Sequence, residues 1–493
     1  MTSPPPAGGA QGSRPSTEAR AGERLFGTDG IRDRAGAGRL APEVVRRVGL
    51  AVGGLLRVRR GCGRAPRVLI ARDTRESGPA IQAQLADGLG AAGCAVRDGG
   101  VLPTPVAAWL ARAYDLAAVI TASHNPYEDN GIKLIDPSGR KAPDALEAEI
   151  ERAVLDGAGI GERGGAAVGP GGGAHYPPPH RPGGLTSGSD ISSGSADPYL
   201  AAVEDRLAGL RAGFPGGRAP VVVLDCAHGA TGAVAPALFA RLGARVHVLN
   251  ASPDGRNINA GCGALHPELV ARETRALGAD LGVAFDGDGD RVILADGGGV
   301  VRDGDHLLAF AARHLKAEGR LPGDLVIGTI MTNQGLELSL ALAGIRLERV
   351  QVGDRFVSQR LDETGAALGG EPSGHVIFKE FAPSGDGLFT ALTALRIMAE
   401  TGRSLAELSA CVTRLPQLIR SVRVARKPPL DDLAGVREAV ARAERAVAGR
   451  GRVNVRYSGT EPVARVMVEA EADGLCERLA DDVAGAIREA IGA

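Results

Sequence analysis

Several things are scarce in this sequence, and each shortage excludes something. Charge of one sign is missing: 57 Lys plus Arg face 58 Asp plus Glu over 493 residues, a formal charge of −1. Such a balance provides no broad field for a nucleic acid or an anionic membrane surface. No run of 18 apolar residues occurs, so nothing reads as a membrane span. The six cysteines (62, 94, 226, 262, 411 and 476) are scattered without a Cys-x-x-Cys pair. Free thiols in a reducing compartment follow, rather than a disulfide framework. There is no Gly-Lys dipeptide and no kinase signature, which excludes a P-loop and a Walker-type ATP site. Residues 1–22 lack the apolar core of a secretory signal and read as a disordered tail. The expectation is a soluble, cytoplasmic protein with neither nucleic acid nor membrane as partner.

Glycine and proline, by contrast, are plentiful at 72 and 30 residues, and they cluster. Residues 157–196 have no periodicity and few large apolar side chains, so they read as a flexible insert whose His175 and His180 belong to a solvated tract. On either side the chain alternates apolar runs with helical segments. Strands are expected at 67–72, 95–102 and 117–121, then at 221–225, 245–249 and 281–286, then at 325–330 and 347–352. Helices are expected between them, at 79–92, 105–113, 231–242, 266–277, 304–317, 333–343 and 386–400. The pattern predicts an α/β fold of three similar units, each a parallel sheet flanked by helices. Helical spacing over 430–447 and 475–491, with strands at 453–457 and 464–470, predicts a smaller α+β unit at the end. The expected division is 23–156, the 157–196 insert, 197–298, 299–408 and 409–493.

Four polar segments stand out against this frame. Thr121-Ala-Ser123-His124-Asn-Pro126 follows an apolar strand, where open α/β sheets build their sites. Lys133 lies ten residues beyond the serine in a chain with only five lysines (133, 141, 316, 379 and 427). Asp286-Gly-Asp288-Gly-Asp290-Arg291 also ends an apolar strand. Three carboxylates so close are costly without a hard cation, and Mg²⁺ is the natural one. An EF-hand starting at Asp286 fails, because its sixth and twelfth positions hold Arg291 and Gly297. Glu371-Pro-Ser373-Gly-His375 supplies donors and acceptors suited to hydroxyl groups. Arg456-Tyr-Ser458-Gly459-Thr460-Glu-Pro462, with Arg465 nearby, has the composition of a phosphate cradle. Gly88-Leu-Gly90-Ala-Ala-Gly93 fits a dinucleotide pattern but ends a helix and precedes a strand, the reverse of the required context.

Taken in order, one per unit, these four segments resemble those of the α-D-phosphohexomutase superfamily over roughly residues 24–490 apart from the insert. Within it, Phe26-Gly-Thr-Asp-Gly-Ile-Arg32, Asn125-Pro-Tyr-Glu-Asp-Asn-Gly-Ile-Lys133, Val352-Gly-Asp-Arg355 and Ser384-Gly-Asp-Gly387 are most similar to the bacterial phosphoglucosamine mutase branch. The resemblance implies four domains around a cleft and a phosphoserine at Ser123. It implies Mg²⁺ on Asp286, Asp288, Asp290 and an oxygen of that phosphoserine. Catalytic work falls to Ser123, Lys133, Arg32 and His124, and sugar hydroxyls to Glu371, Ser373 and His375. The non-reacting phosphate falls to Arg456, Ser458, Gly459, Thr460 and Arg465. The implied reaction interconverts the 6- and 1-phosphates of glucosamine, with a sugar 1,6-bisphosphate as activator, in a monomer or homodimer. The alternative is phosphomannomutase/phosphoglucomutase action by the same mechanism. Two residues depart from the family pattern. Asp33 stands where glycine is usual, and Pro372 where glutamine is common.

Overall fold

The computed structural model describes residues 24–155 except 28 and 62, and 196–493 except 209, 211–213, 215–216 and 459–460. The expected N-terminal tail and nearly all of the 157–196 insert lie outside the described residues.

Among the described residues, seventeen strands form four sheets. The first contains β1 (Ile31–Arg34), β2 (Arg67–Arg72), β3 (Ala95–Val101), β4 (Leu116–Ile120) and β5 (Asp129–Ile135), in the order β1-β5-β4-β2-β3. The second contains β6 (Val221–Asp225), β7 (Arg245–Leu249), β8 (Leu281–Phe285), β9 (Val292–Asp296) and β10 (Val301–Arg302), in the order β10-β9-β8-β6-β7. The third contains β11 (Leu325–Thr329), β12 (Arg346–Val350), β13 (Leu368–Gly370) and β14 (Val376–Phe378), in the order β12-β11-β13-β14. In each of these three sheets three strands run parallel; the central ones, such as β2, β4, β6, β8 and β11, are continuous apolar runs covered on both faces, while β3, β7 and β12 are more exposed.

The sheets are nevertheless mixed, which corrects the expectation of purely parallel ones. β5 runs antiparallel to β4, β9 to β8 and β14 to β13. The reason is loop length. Only residues 121–128, 286–291 and 371–375 separate the members of these pairs, too few for a parallel crossover but enough for a hairpin. β5 was hidden because its sequence, Asp129-Asn-Gly-Ile-Lys-Leu-Ile135, begins with turn residues, and β9 and β14 because they are short apolar runs of five and three residues.

The fourth sheet is fully antiparallel, with β15 (Gln417–Arg423), β16 (Arg452–Tyr457) and β17 (Val463–Glu469) in the order β15-β17-β16. β15 adds a third strand to the expected pair. Helices Ala434–Val447 and Asp473–Ile491 bury Val436, Ala443, Val483 and Ile487 against it. The first of these begins after a short 3-10 turn at Leu430–Asp432 rather than at 430.

One apolar core runs through the first three units, from Leu69 and Val106 past Tyr199, Leu224 and Phe285 to Phe310 and Leu392. The last unit has a core of its own. The five described cysteines are unpaired, and burial pushes the Cys226 thiol up to about 12.

Candidate active site

The serine loop leaves β4 at Thr121. The Ser123 Oγ donates to Asp286 Oδ2 at 2.6 Å and lies 3.3 Å from His124 Nδ1. Ser123 is buried, with its φ in the left-handed region at +50°. Arg75, 48 positions earlier, buries its whole guanidinium beneath this loop and donates to the carbonyls of Ser123, Asn125, Pro126 and Asp129.

The metal-like loop joins β8 to β9. Asp286 and Asp288 are fully buried and Asp290 nearly so, with one oxygen of each inside 4.8 Å of the others. Burial, then repulsion from Asp290 and Asp288, pushes the Asp286 carboxyl well above its ordinary range. Burial pushes Asp288 the same way, but Lys133 and the Thr104 hydroxyl outweigh it and hold that group low. Asp288 Oδ2 accepts from Thr104 Oγ1 at 2.7 Å and from Lys133 Nζ at 3.1 Å, and Asp290 Oδ2 accepts from Lys133 at 3.0 Å. The remaining oxygens, Asp288 Oδ1 and Asp290 Oδ1, are buried without a hydrogen-bond partner, the second lying 3.9 Å from Arg291 Nε. Buried carboxylate oxygens left bare are costly, so this donor set fits a hard dication bound by oxygen.

Gly287 lies where the metal-like loop approaches the serine loop closely. A Cβ there would lie 2.7 Å from the Ser123 carbonyl oxygen and 2.9 Å from Asn259 Nδ2, which explains the glycine between the first two aspartates.

Lys133 sits on β5 opposite Val119, so the hairpin turns it back over the serine loop. Although burial opposes its charge, Asp288, Asp29 and Asp290 keep its ammonium well above the ordinary range. Arg32, on β1 opposite Gly131, donates to the Thr121 carbonyl at 2.6 Å and to Asp29 Oδ2 at 2.7 Å. Asp29 also lies 3.4 Å from Lys133, so one carboxylate orients both cations. Burial and the nearby Arg291 guanidinium lower His124 to about 4, which leaves it a neutral imidazole at physiological pH. Asp33 points elsewhere: its carboxylate accepts from the Arg34 and Arg39 amides and caps the turn after β1.

The third loop, between β13 and β14, packs on the metal-like loop through Val292 N donating to Gly374 O at 3.1 Å. Glu371 Oε1 accepts from the Gly353 amide at 3.0 Å, and Ser373 Oγ donates to Glu371 Oε2 at 3.2 Å. His375 is buried with Nδ1 unpartnered. A cavity of ≈ 340 Å³ opens between these loops, lined by His124, Asp286, Arg291, Pro372, Ser373 and Arg414 among others. A second, of ≈ 390 Å³, lies between the first and third units and is lined in part by Arg140, Lys141, Asp354, Arg355, His375 and Ser384. The first brings together the serine loop, an aspartate of the triad and Ser373, and a smaller pocket lined by Asp29, Thr104, Lys133, Asp290 and His375 shares His375 and Ser384 with the second.

The fourth segment stands apart. Among the described residues, no hydrogen bond or ion pair joins 456–465 to the other three loops; Gly459 and Thr460 themselves lie outside the described residues. Arg456 on β16 is directly opposite Arg465 on β17. Burial first, and then Arg465, makes the Arg456 charge less favourable than usual. Two guanidiniums facing across a strand pair are repulsive unless an anion lies between them. Ser458 is buried, its carbonyl accepting from Lys427 Nζ at 2.7 Å.

Spacing along the chain missed Asp29, Arg75, Thr104 and Asn259. The one available signal was Asp73-Thr-Arg75, a charged triplet at the end of the apolar strand 67–72.

Comparison with known proteins agrees with this arrangement. Four family models match in order: Phosphoglucomutase/phosphomannomutase alpha/beta/alpha domains I at 23–158, II at 197–299 and III at 303–415, and the C-terminal domain at 418–486. The phosphoglucosamine mutase of Desulforudis audaxviator is 43% identical over 467 residues, 94% of this chain and 98% of that one. A Phosphoglucomutase/phosphomannomutase family protein of Burkholderia thailandensis superposes with a TM-score of 0.73 at 27% identity, over 94% of this chain and 97% of that one. The Aspergillus fumigatus N-acetylphosphoglucosamine mutase, solved with GlcNAc-6P and magnesium, shares the fold with a TM-score of 0.61 at 18% identity, over 95% and 96% of the two chains. With four consecutive domain matches and a near-full-length relative, the chain belongs to the phosphohexomutase family, on its phosphoglucosamine mutase branch.

Proposed function

We propose that the chain interconverts glucosamine 6-phosphate and glucosamine 1-phosphate through a hexosamine 1,6-bisphosphate, as an intramolecular phosphotransferase. The observation that carries this reading is Ser123 Oγ donating to Asp286 at 2.6 Å beside a buried carboxylate triad, in a chain 43% identical to a phosphoglucosamine mutase. Ser123 carries the phosphoryl group. Asp286, Asp288, Asp290 and a phosphoserine oxygen would hold Mg²⁺. When bound, the cation neutralises charge on the transferring group and on the serine oxygen as it leaves.

The chain's own residues do the rest. Lys133 and Arg32 border the serine loop as fixed cations, so they orient the phosphoryl oxygens and stabilise the charge on them. Neutral His124 offers a hydrogen-bonding nitrogen beside Ser123. Glu371, Ser373 and His375 hold sugar hydroxyls. Arg456, Ser458, Gly459, Thr460 and Arg465 grip the phosphate that is not reacting. The phosphoserine gives its phosphoryl group to the free hydroxyl of the sugar monophosphate, whose proton passes to the serine oxygen; the resulting bisphosphate turns over, and the serine oxygen takes back the phosphoryl group from the other end. A free sugar 1,6-bisphosphate activates by phosphorylating Ser123. On this reading the domains are 23–156, 197–298, 299–408 and 409–493. The enzyme works in the cytoplasm as a monomer or homodimer and supplies UDP-N-acetylglucosamine synthesis.

The test is turnover on glucosamine, glucose and mannose 6-phosphates with a bisphosphate activator. The highest kcat/KM should fall on the glucosamine ester, and Ser123→Ala should drop turnover below about 10⁻³ of the parent, as expected when a covalent nucleophile is removed. The descriptions of the four domain models favour a second reading, phosphoglucomutase/phosphomannomutase action by the same mechanism. Higher kcat/KM on glucose or mannose 6-phosphate would establish it instead.

A further inference from the structure

We infer that Asp73, Arg75 and Asn259 are positioning residues that lock the Ser123 backbone in the one conformation that aims its hydroxyl at the metal-like loop. The inference rests on the phosphoserine role proposed above and adds how that serine is held. At φ +50°, Ser123 occupies a region that side chains other than glycine adopt only when their surroundings impose it. Both of its backbone polar groups are claimed. Its amide donates to Thr121 Oγ1 at 2.8 Å, and that hydroxyl donates in turn to Asp73 Oδ2 at 2.7 Å. Its carbonyl accepts from Arg75 Nη2 at 3.0 Å and from Asn259 Nδ2 at 2.9 Å. Asp73 closes the frame by accepting from Arg75 Nε at 2.9 Å and from the Arg75 amide at 3.0 Å. Asp73, Arg75 and Thr121 are essentially inaccessible, and Asn259 is 8% exposed.

Two donors from different units, Arg75 and Asn259, converge on the carbonyl of the residue bearing the reactive hydroxyl and again on that of Asn125, two residues on. Asn259 comes from the second unit, and its own amide is tied to Ala227 O at 2.9 Å. Gly287, in the metal-like loop, presses on the same two groups. The conformation of Ser123 is therefore set jointly by the first and second units, and it registers Oγ against Asp286. Each turnover needs two in-line transfers at this oxygen, so alignment acts on the chemical step rather than on substrate binding.

The experiment uses the full chain with Asn259→Ala, Asn259→Asp and Arg75→Lys. It measures kcat and KM on glucosamine 6-phosphate, the melting temperature, and the Ser123 φ in crystal structures of the Asn259 variants. Asn259→Ala should lower kcat tenfold or more with KM within twofold and melting unchanged. Asn259→Asp, which sets a carboxylate against the carbonyl, should lower it further, and Ser123 should leave the left-handed region. Arg75→Lys should act on kcat in the same way; if it does not fold, the two Asn259 variants decide. A kcat within twofold of the parent, a loss confined to KM, or an unmoved Ser123 φ overturns the inference. A parent protein inactive on every phosphosugar overturns the proposed function instead, and the crystallographic φ then still decides whether the clamp exists.

Discussion

Asp286, Asp288 and Asp290 pack three nearly inaccessible carboxylates into five residues, an arrangement that burial and mutual repulsion both oppose. Lys133 offsets part of that cost, yet it reaches only Oδ2 of Asp288 and Oδ2 of Asp290. The unpartnered Oδ1 atoms are where a cation repays the rest. Asp288→Asn removes one ligand charge. It should weaken Mg²⁺ binding, read by titration calorimetry, by at least the ~10-fold that loss of a supporting residue typically costs. Unchanged affinity would separate the triad from the metal.

Glu147 offers a test away from the site. Burial first pushes its carboxyl up to about 7, and Lys141 at 3.2 Å only partly opposes this. Because the folded-state value is raised above the ordinary 4.5, its stabilising contribution is complete below pH 4.5. That contribution is lost as pH rises through about 7. After allowance for solvent screening the loss is about 1–2 kcal/mol. Glu147→Gln should therefore melt higher than the parent at pH 8 and show no such advantage at pH 4. A parallel pair of melting curves would refute the assignment.

At the scale of elements, all four functional loops occupy one kind of position: the short connection of an antiparallel pair. They are β4–β5, β8–β9, β13–β14 and β16–β17. A hairpin connection is tethered at both ends by ladder hydrogen bonds, so a few polar residues are held in place without a helix to carry them. The loops themselves were legible because polar clusters ending apolar runs break the local pattern. The return strands β5, β9 and β14 were not, since antiparallel pairing depends on a partner and not on local periodicity, whereas β17 was expected at 464–470. Pairing also explains the Arg456–Arg465 juxtaposition, which nine residues of separation conceal. Arg456→Ala should raise KM for the sugar phosphate about 10- to 100-fold, the worth of a charge-assisted bidentate contact, with kcat less affected. Unchanged KM would remove this pair from phosphate binding.

At the scale of the molecule, the last unit is cored separately and attaches through few groups. Asn333 anchors the end of the third unit where the chain leads into the last one, accepting from the Leu415 amide and donating to its carbonyl, each at 3.0 Å. Glu469, fully buried, accepts from the Gln334 amide at 2.8 Å and pairs with Arg452 at 3.0 Å, while Arg452 also donates to Thr332 O. Asn333→Ala strands the Leu415 groups at a cost of about 1–3 kcal/mol. It should speed amide exchange at Leu415 by about 10-fold or more, read by hydrogen-exchange mass spectrometry, while exchange in β4 and β8 stays slow. Uniform acceleration would mean a global loss of stability rather than a local joint.

The sequence by itself determined the α/β class, the three similar units with a smaller fourth, and the Ser123, Asp286–Asp290, Glu371 and Arg456 segments. Apolar periodicity and clustered polar chemistry are local properties, written within a few residues. Only the tertiary structure decided that the sheets are mixed and that Arg75 and Asn259 share the Ser123 carbonyl. It also decided that Asp29 orients Arg32 and Lys133 together. Those relations join residues 48, 136 and 104 positions apart or set by sheet pairing, and no spacing rule reaches across such distances. The near-zero net charge with which the sequence is read conceals the same division: the sum is a property of composition, whereas the buried triad and the facing arginines exist only once the chain is folded.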